Sequence, residues 1–60
     1  MEKRFIDINE LSEYLGVSKN TIYYWIALKK IPYTKFSKLV RFDIRKINIW
    51  TDDNNREVLN

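Results

Sequence analysis

The sequence predicts a mainly α-helical domain with one small β-hairpin, in the order helix, helix, hairpin, helix. Apolar side chains recur at helical spacing in three segments of the 60-residue chain. The only glycine and the only proline stand where the first and second of these segments end. Between the second and third segments, apolar and polar residues alternate as in two short strands.

The first helix is predicted over residues 8–15. Asp7 precedes it as an N-cap, and Glu10 stands where it can complete a capping box. Apolar residues at i, i+3 and i+7 from residue 8 share one helical face. Gly16 can adopt the left-handed conformation that ends a helix. The chain is therefore expected to turn at this glycine.

The second helix is predicted over residues 19–29. Ser18 is a good N-cap, and Pro32 disfavours helical geometry in the residue before it. Lys29 and Lys30 then fall in the last turn, where cations are stabilised by the helix dipole.

Two short helices joined by Gly16-Val17-Ser18 form a helix-turn-helix. The residues expected to share its core are Leu11, Leu15, Val17, Ile22 and Trp25. The opposite face of the second helix is then free to approach a groove.

The segment Tyr33–Phe42 is predicted to form a hairpin with a three-residue tip, Ser37-Lys38-Leu39. A two-residue tip would divide the apolar residues between the two faces, whereas strand register follows the buried face. The side chains expected to point inward are those of Thr34, Phe36, Val40 and Phe42. Lys35 and Arg41 would then face outward together, with Lys38 at the tip, and form a basic wing.

Asp43 is placed to cap a third helix. The apolar face of this helix is formed by Ile44, Ile47 and Trp50. Ile49 lies off that face and is expected to be exposed. We predict one domain over residues 1–52 and a polar, frayed tail over residues 53–60.

The composition argues against an enzyme. The chain contains no cysteine and no histidine, so it lacks thiolate ligands, disulfides and the usual general base. We expect no catalytic residue, no metal site and no cofactor. No segment has the ~20 consecutive apolar residues of a membrane span, and no apolar signal core is present. The expectation is a soluble cytoplasmic protein without membrane contact.

Positive charge is concentrated in the middle of the chain. Residues 17–50 contain eight lysines and arginines against one acid, Asp43, whereas acids outnumber bases in residues 1–16 and 51–60. Such a distribution favours a surface that meets a polyanion. Because it coincides with a helix-turn-helix, we expect the partner to be double-stranded DNA.

The ordered pattern over residues 5–51 resembles that of excisionase-type and MerR-like winged-helix DNA-binding domains, AlpA-like small regulators included. Its first part is Ile8…Glu10-Leu11…Tyr14-Leu15-Gly16-Val17-Ser18…Thr21-Ile22-Tyr23. Its second part is Ile31-Pro32…Phe36…Arg41-Phe42-Asp43…Ile47…Trp50. The DNA-binding end of phage terminase small subunits is similar. The resemblance implies a winged helix-turn-helix, with the second helix in the major groove and the wing on the minor groove or backbone.

The resemblance also implies two roles for a protein of a phage or mobile element. An excisionase bends DNA or binds it in tandem copies beside a tyrosine recombinase, which would be the protein partner. A small regulator activates or represses transcription. An alternative left open is a protein-interaction module on the same fold, an anti-repressor or recombinase-docking subunit. Its contact surface would be Tyr14, Ile49 and the Tyr23–Tyr24 pair.

The predicted DNA-binding residues lie on the second helix and on the wing. They are Ser18, Lys19, Asn20, Thr21, Tyr23, Tyr24, Lys35, Ser37, Lys38 and Arg41. Asn20 is the candidate for base reading, because its amide can pair with adenine. Tyr24 is expected to contact a DNA phosphate. For Tyr23, packing within the protein and contact with DNA both stay open. Thr21 could contact DNA or could instead form a structural hydrogen bond with Ser18.

The sequence departs from the resembled family at two places. Arginine is frequent in the family near Tyr23 and Tyr24, and tyrosine cannot make the bidentate contact of arginine with guanine. The family's wing tip usually carries glycine, where this chain has Ser37.

Overall fold

The computed structural model describes residues 3–54, which form three helices and a three-stranded antiparallel sheet. The elements are β1 (Phe5–Ile6), α1 (Ile8–Leu15), α2 (Lys19–Ala27), β2 (Thr34–Phe36), β3 (Leu39–Asp43) and α3 (Ile44–Asn54). The predicted fold class and the order helix, helix, hairpin, helix are confirmed. Strand β1 was not predicted, because two residues are too few to show an alternating pattern.

Helix α1 has the predicted bounds and both predicted ends. The Asp7 carboxylate accepts a hydrogen bond from the Glu10 N–H at 2.8 Å, and the Glu10 carboxylate accepts one from the Asp7 N–H at 3.3 Å. This reciprocal pair is a capping box. At the other end, Gly16 has φ +69° and donates its N–H to the Ser12 carbonyl at 2.9 Å. The residues that define both ends lie in the helix or directly beside it, which explains why the sequence alone predicted the bounds of α1.

Helix α2 ends two residues earlier than predicted. The Lys29 N–H donates a hydrogen bond to the Ile26 carbonyl at 3.0 Å, and the Lys30 N–H donates one to the Trp25 carbonyl at 2.8 Å. This pair of bonds is a Schellman motif, which requires a left-handed residue after the C-cap. Lys29 fills that position with φ +55°. The prediction that Lys29 and Lys30 lie in the last helical turn is therefore wrong.

The hairpin has a two-residue tip, Ser37-Lys38, and the predicted three-residue tip is wrong. Phe36 pairs with Leu39, Lys35 with Val40, and Thr34 with Arg41. Opposed residues share one face of the sheet, and successive residues alternate between its two faces. The four side chains that were expected to point inward are therefore divided between the two faces. Val40 and Phe42 face the core, whereas Thr34 and Phe36 lie on the outer face with Leu39 and Arg41.

Strand β1 supplies the physical reason for this register. It pairs antiparallel with β3, with Phe5 opposite Asp43 and Ile6 opposite Phe42. The Phe5 and Phe36 rings meet edge to face with centroids 5.2 Å apart. The second face of the hairpin thus has an aromatic contact of its own, which the hairpin sequence considered alone does not reveal.

One small core joins the helices to the sheet. Its buried members are Ile6, Leu11, Ile22, Ile31, Phe42 and Ile47. Leu11, Ile22, Phe42 and Ile47 are fully buried, and burying each such side chain stabilises the fold by about 1.5–3 kcal/mol. The predicted core positions Leu15, Val17 and Trp25 are half-buried and pack against this cluster.

Helix α3 is the last element of the described residues and completes the core. The Asp43 carboxylate accepts the Arg45 N–H at 3.0 Å, as a capping residue does. Ile47 is buried and Ile49 is 62% exposed, as predicted. The helix continues to Asn54, two residues past the expected domain boundary at 52. The rest of the expected tail, residues 55–60, lies outside the described residues.

Candidate nucleic-acid interface

The outward face of α2 is a stripe of four exposed residues, Asn20, Tyr23, Tyr24 and Ala27. They stand at i, i+3, i+4 and i+7, which places them on one side of a helix. Ile22 is fully buried on the opposite side and anchors the helix to the core. Because Ala27 is small, the helix backbone can approach a partner closely at this end of the stripe.

The first turn of α2 is held by its cap. The Ser18 hydroxyl oxygen accepts a hydrogen bond from the Thr21 N–H at 3.2 Å and lies 2.9 Å from the Thr21 hydroxyl. The alternative of Thr21 bonding back to Ser18 is thus the arrangement observed. Lys19 is exposed in the same turn, which contains no acid. The lysine and the positive end of the helix dipole therefore contribute the same sign of charge.

Neither tyrosine of the stripe packs in the core. Tyr23 is 56% exposed and Tyr24 is 62% exposed. Within residues 3–54 neither hydroxyl has a hydrogen-bond partner, so both are available to donate to an acceptor such as a phosphate oxygen. Both tyrosines therefore lie on the outward face of α2, where the sequence interpretation placed them, and Tyr23, which was left open between packing and contact, is exposed like Tyr24.

The basic side chains of the hairpin are distributed differently from the prediction. Lys38 is exposed at the tip beside Ser37, which has φ +57°. Lys35 is exposed on the face it shares with Val40, but Arg41 lies on the other face. The expectation that Lys35 and Arg41 face outward together is therefore wrong, because the shorter tip shifts one strand by a residue. The half-buried Arg41 also donates from its guanidinium to the Val40 carbonyl at 2.8 Å.

The model of one protein family, described as a helix-turn-helix domain, matches residues 5–54. The chain belongs to this helix-turn-helix domain family. The family is one of DNA-binding domains, and the match spans all six elements of the fold. The chain has no significant match among curated proteins or among solved structures.

This helix-turn-helix domain contains a charged cluster that the sequence interpretation missed. Asp43 is 3% exposed, and one carboxylate oxygen lies 3.1 and 3.2 Å from two guanidinium nitrogens of Arg4. The other oxygen lies 3.7 Å from the guanidinium of Arg45. Burial raises the pKa of Asp43, but the Arg4 side chain, the Arg45 N–H and both positive charges outweigh it and hold this pKa below its ordinary value.

The Asp43 cluster has a structural role in presenting the interface. Asp43 ends β3, caps α3 and binds Arg4, which immediately precedes β1. It therefore ties three elements together at the base of the hairpin. Sequence alone contained one signal, Asp43 as a helix cap, and no signal that Arg4, 39 residues away, would reach it.

Two other groups of residues also emerged only from the fold. Lys29 adopts its left-handed conformation directly after α2. Phe36 and Leu39 are 46% and 56% exposed beside the hairpin tip.

The described residues include no group of three or more acidic side chains arranged to hold a metal ion. None of the helices in residues 3–54 has the length and apolar composition that a membrane span requires.

Proposed function

We propose that this protein binds double-stranded DNA with sequence preference, placing α2 in the major groove and the hairpin on the adjacent backbone or minor groove. The observation that carries the proposal is the exposed stripe of α2. It presents an amide and two phenolic hydroxyls on a helix whose other face is anchored by Ile22. The major groove admits an α-helix and displays a distinct pattern of donors and acceptors for each base pair.

The contacts divide into base reading and backbone binding. Asn20 is the base-reading residue, since its side-chain amide can pair with the edge of adenine. Lys19, Lys35 and Lys38 supply phosphate contacts, which add affinity without sequence information. The two tyrosines bind phosphate or sugar, because a phenol cannot form the paired hydrogen bonds by which arginine reads guanine.

Two biological roles fit such a domain, and both concern a phage or mobile element. As an excisionase, it would bind in tandem copies beside a tyrosine recombinase and direct that enzyme toward excision. As a small regulator, it would bind near a promoter in the cytoplasm and change transcription. A recombinase gene adjacent to the coding sequence favours the first role, and its absence favours the second.

Binding is tested by selecting preferred sequences from randomised duplexes and measuring affinity by fluorescence anisotropy over a range of salt concentrations. We expect log K to fall with log salt at a slope of a few units, because each neutralised phosphate contributes about 0.9. Absence of binding to any duplex at low salt, or a slope of zero, would refute the proposal.

Two variants assign the contacts. Asn20→Ala should weaken binding to the selected duplex by about tenfold or more relative to random DNA, in line with about 1–3 kcal/mol per base-specific pair. Asn9→Ala is the matched control, because Asn9 is an exposed asparagine on α1. Lys38→Ala should weaken binding to all duplexes and lower the salt slope by about one. Equal losses on selected and random DNA for Asn20→Ala would show that α2 does not read bases.

The second candidate function is a protein-interaction module. The observation that favours it is the exposure of two large side chains: Tyr14 is 52% exposed and lines a groove between α1 and α3, and Ile49 on α3 is 62% exposed. An NMR titration with the selected duplex separates the two functions. Chemical-shift changes on α2 and the hairpin support DNA binding, whereas changes confined to α1 and α3 favour the protein-interaction module.

A further inference from the structure

The outer face of the hairpin carries an exposed apolar pair next to its tip. Phe36 and Leu39 are opposed across β2 and β3 and are 46% and 56% exposed. Opposed side chains on one face lie about 4.5–5.5 Å apart at their Cβ atoms, so the two form one continuous patch. Only the two-residue tip Ser37-Lys38 separates them along the chain.

Aromatic and ionic contacts support one end of this patch. The Phe36 ring packs edge to face on Phe5, with centroids 5.2 Å apart. The Arg4 guanidinium lies over the Phe5 ring at 4.9 Å and also binds the buried Asp43. Phe36 is therefore the supported end of the patch, and Leu39 is its more exposed end.

The surroundings of the patch are positively charged. Residues 29–42 contain five lysines and arginines and no acid. Lys38 forms half of the tip, and Arg41 lies on the same outer face as Phe36 and Leu39, whereas Lys35 lies on the opposite face. An apolar patch with positive charge around it is complementary to a partner that has an apolar groove between two negatively charged edges. The stacked base pairs of DNA, seen from the minor groove between two phosphate backbones, have this arrangement.

We propose that Leu39, supported by Phe36, enters the minor groove and wedges between two base pairs, while Lys38 at the tip binds a flanking phosphate. Apolar side chains that insert in this way unstack one base step and bend the duplex toward the major groove. The inference rests on the proposed function and adds a binding mode to it. It assigns DNA deformation to the hairpin and leaves base reading to α2.

The test uses the full chain and the selected duplex, with a fluorescent adenine analogue placed at each base step in turn. Unstacking raises the emission of the analogue, so wild-type protein should brighten one step and no other. Leu39→Ala should abolish the brightening and weaken binding about tenfold, as expected when a side chain loses its burial. Leu39→Met should retain both, because methionine also serves as a wedge.

Two control variants separate the wedge from other effects. Ile49→Ala removes a similarly exposed apolar side chain from α3, 62% exposed, and should leave brightening and affinity unchanged. Lys38→Ala should keep the brightening while lowering the salt slope by about one. Thermal unfolding of Leu39→Ala should match wild type, since the side chain is more than half exposed.

Several outcomes overturn the wedge. If wild-type protein binds the duplex but brightens no step, the wedge is wrong and the proposed function stands. If Leu39→Ala binds and brightens like wild type, the patch serves another partner, such as a protein. If wild-type protein binds no duplex, the proposed function itself fails.

Discussion

Replacing Lys29 by glycine should make the domain more stable, although it removes an ordered residue's entire side chain. Lys29 has φ +55° and occupies the left-handed position of the Schellman motif that ends α2. Glycine is the preferred residue there because it has no Cβ to clash in this conformation. The substitution therefore removes strain while leaving both hydrogen bonds of the motif in place.

The expected magnitude follows from two opposing effects. A left-handed conformation costs a non-glycine residue about 1–2 kcal/mol. Glycine gives the unfolded chain extra freedom, which lowers stability by about 0.5–1 kcal/mol. The difference between these ranges is a net gain in the free energy of unfolding of about 0–1.5 kcal/mol. Its middle value of about 0.75 kcal/mol corresponds to an increase in Tm of about 3–6 °C for a domain of this size.

The assay is thermal and urea unfolding followed by circular dichroism. Lys30→Gly is the matched control, since it removes the same charge and adds the same residue one position later. Lys30 is outside the left-handed region, so its replacement should lower stability by about 0.5–1 kcal/mol. If Lys29→Gly is less stable than wild type, or if both variants shift equally, the strain assigned to Lys29 is refuted.

Two further predictions concern the core and the charged cluster. Ile22→Ala should lower the free energy of unfolding by about 2–5 kcal/mol, because the side chain is fully buried. Urea titration measures this loss. A loss no larger than that of the exposed Ile49→Ala would contradict the placement of Ile22 in the core. Because the pKa of Asp43 is lowered on folding, its ionised form stabilises the fold at pH values above about 3.9, and this contribution is lost as the pH falls through the lowered pKa. Asp43→Asn should therefore flatten the acid limb of a curve of stability against pH. Equal curves for Asp43→Asn and wild type would show that the cluster is not ionised as described.

The family relationship and the geometry of α2 support one another. The family match covers residues 5–54, and the exposed stripe lies on α2, the helix that we propose enters the major groove. The paired tyrosines distinguish this chain from the arginine that is frequent in the resembled domains. They shift the proposed balance of contacts toward the DNA backbone, with Asn20 as the base-reading residue.

The sequence by itself determined the elements whose signals are local. Asp7, Glu10 and Gly16 define both ends of α1 within the segment, because capping bonds join residues three or four positions apart. Ser18 and the buried Ile22 likewise placed α2 and its outward stripe, since helical periodicity depends only on spacing.

Only the tertiary structure decided the hairpin register, the end of α2 and the Asp43 cluster. The two-residue tip divides the apolar residues of the hairpin between two faces, and the distant Phe5 gives the second face its own contact. Arg4 reaches Asp43 across 39 positions, a separation that no local pattern encodes. Lys29 takes the left-handed position after α2, where glycine is preferred, so the residue type did not mark the end of the helix.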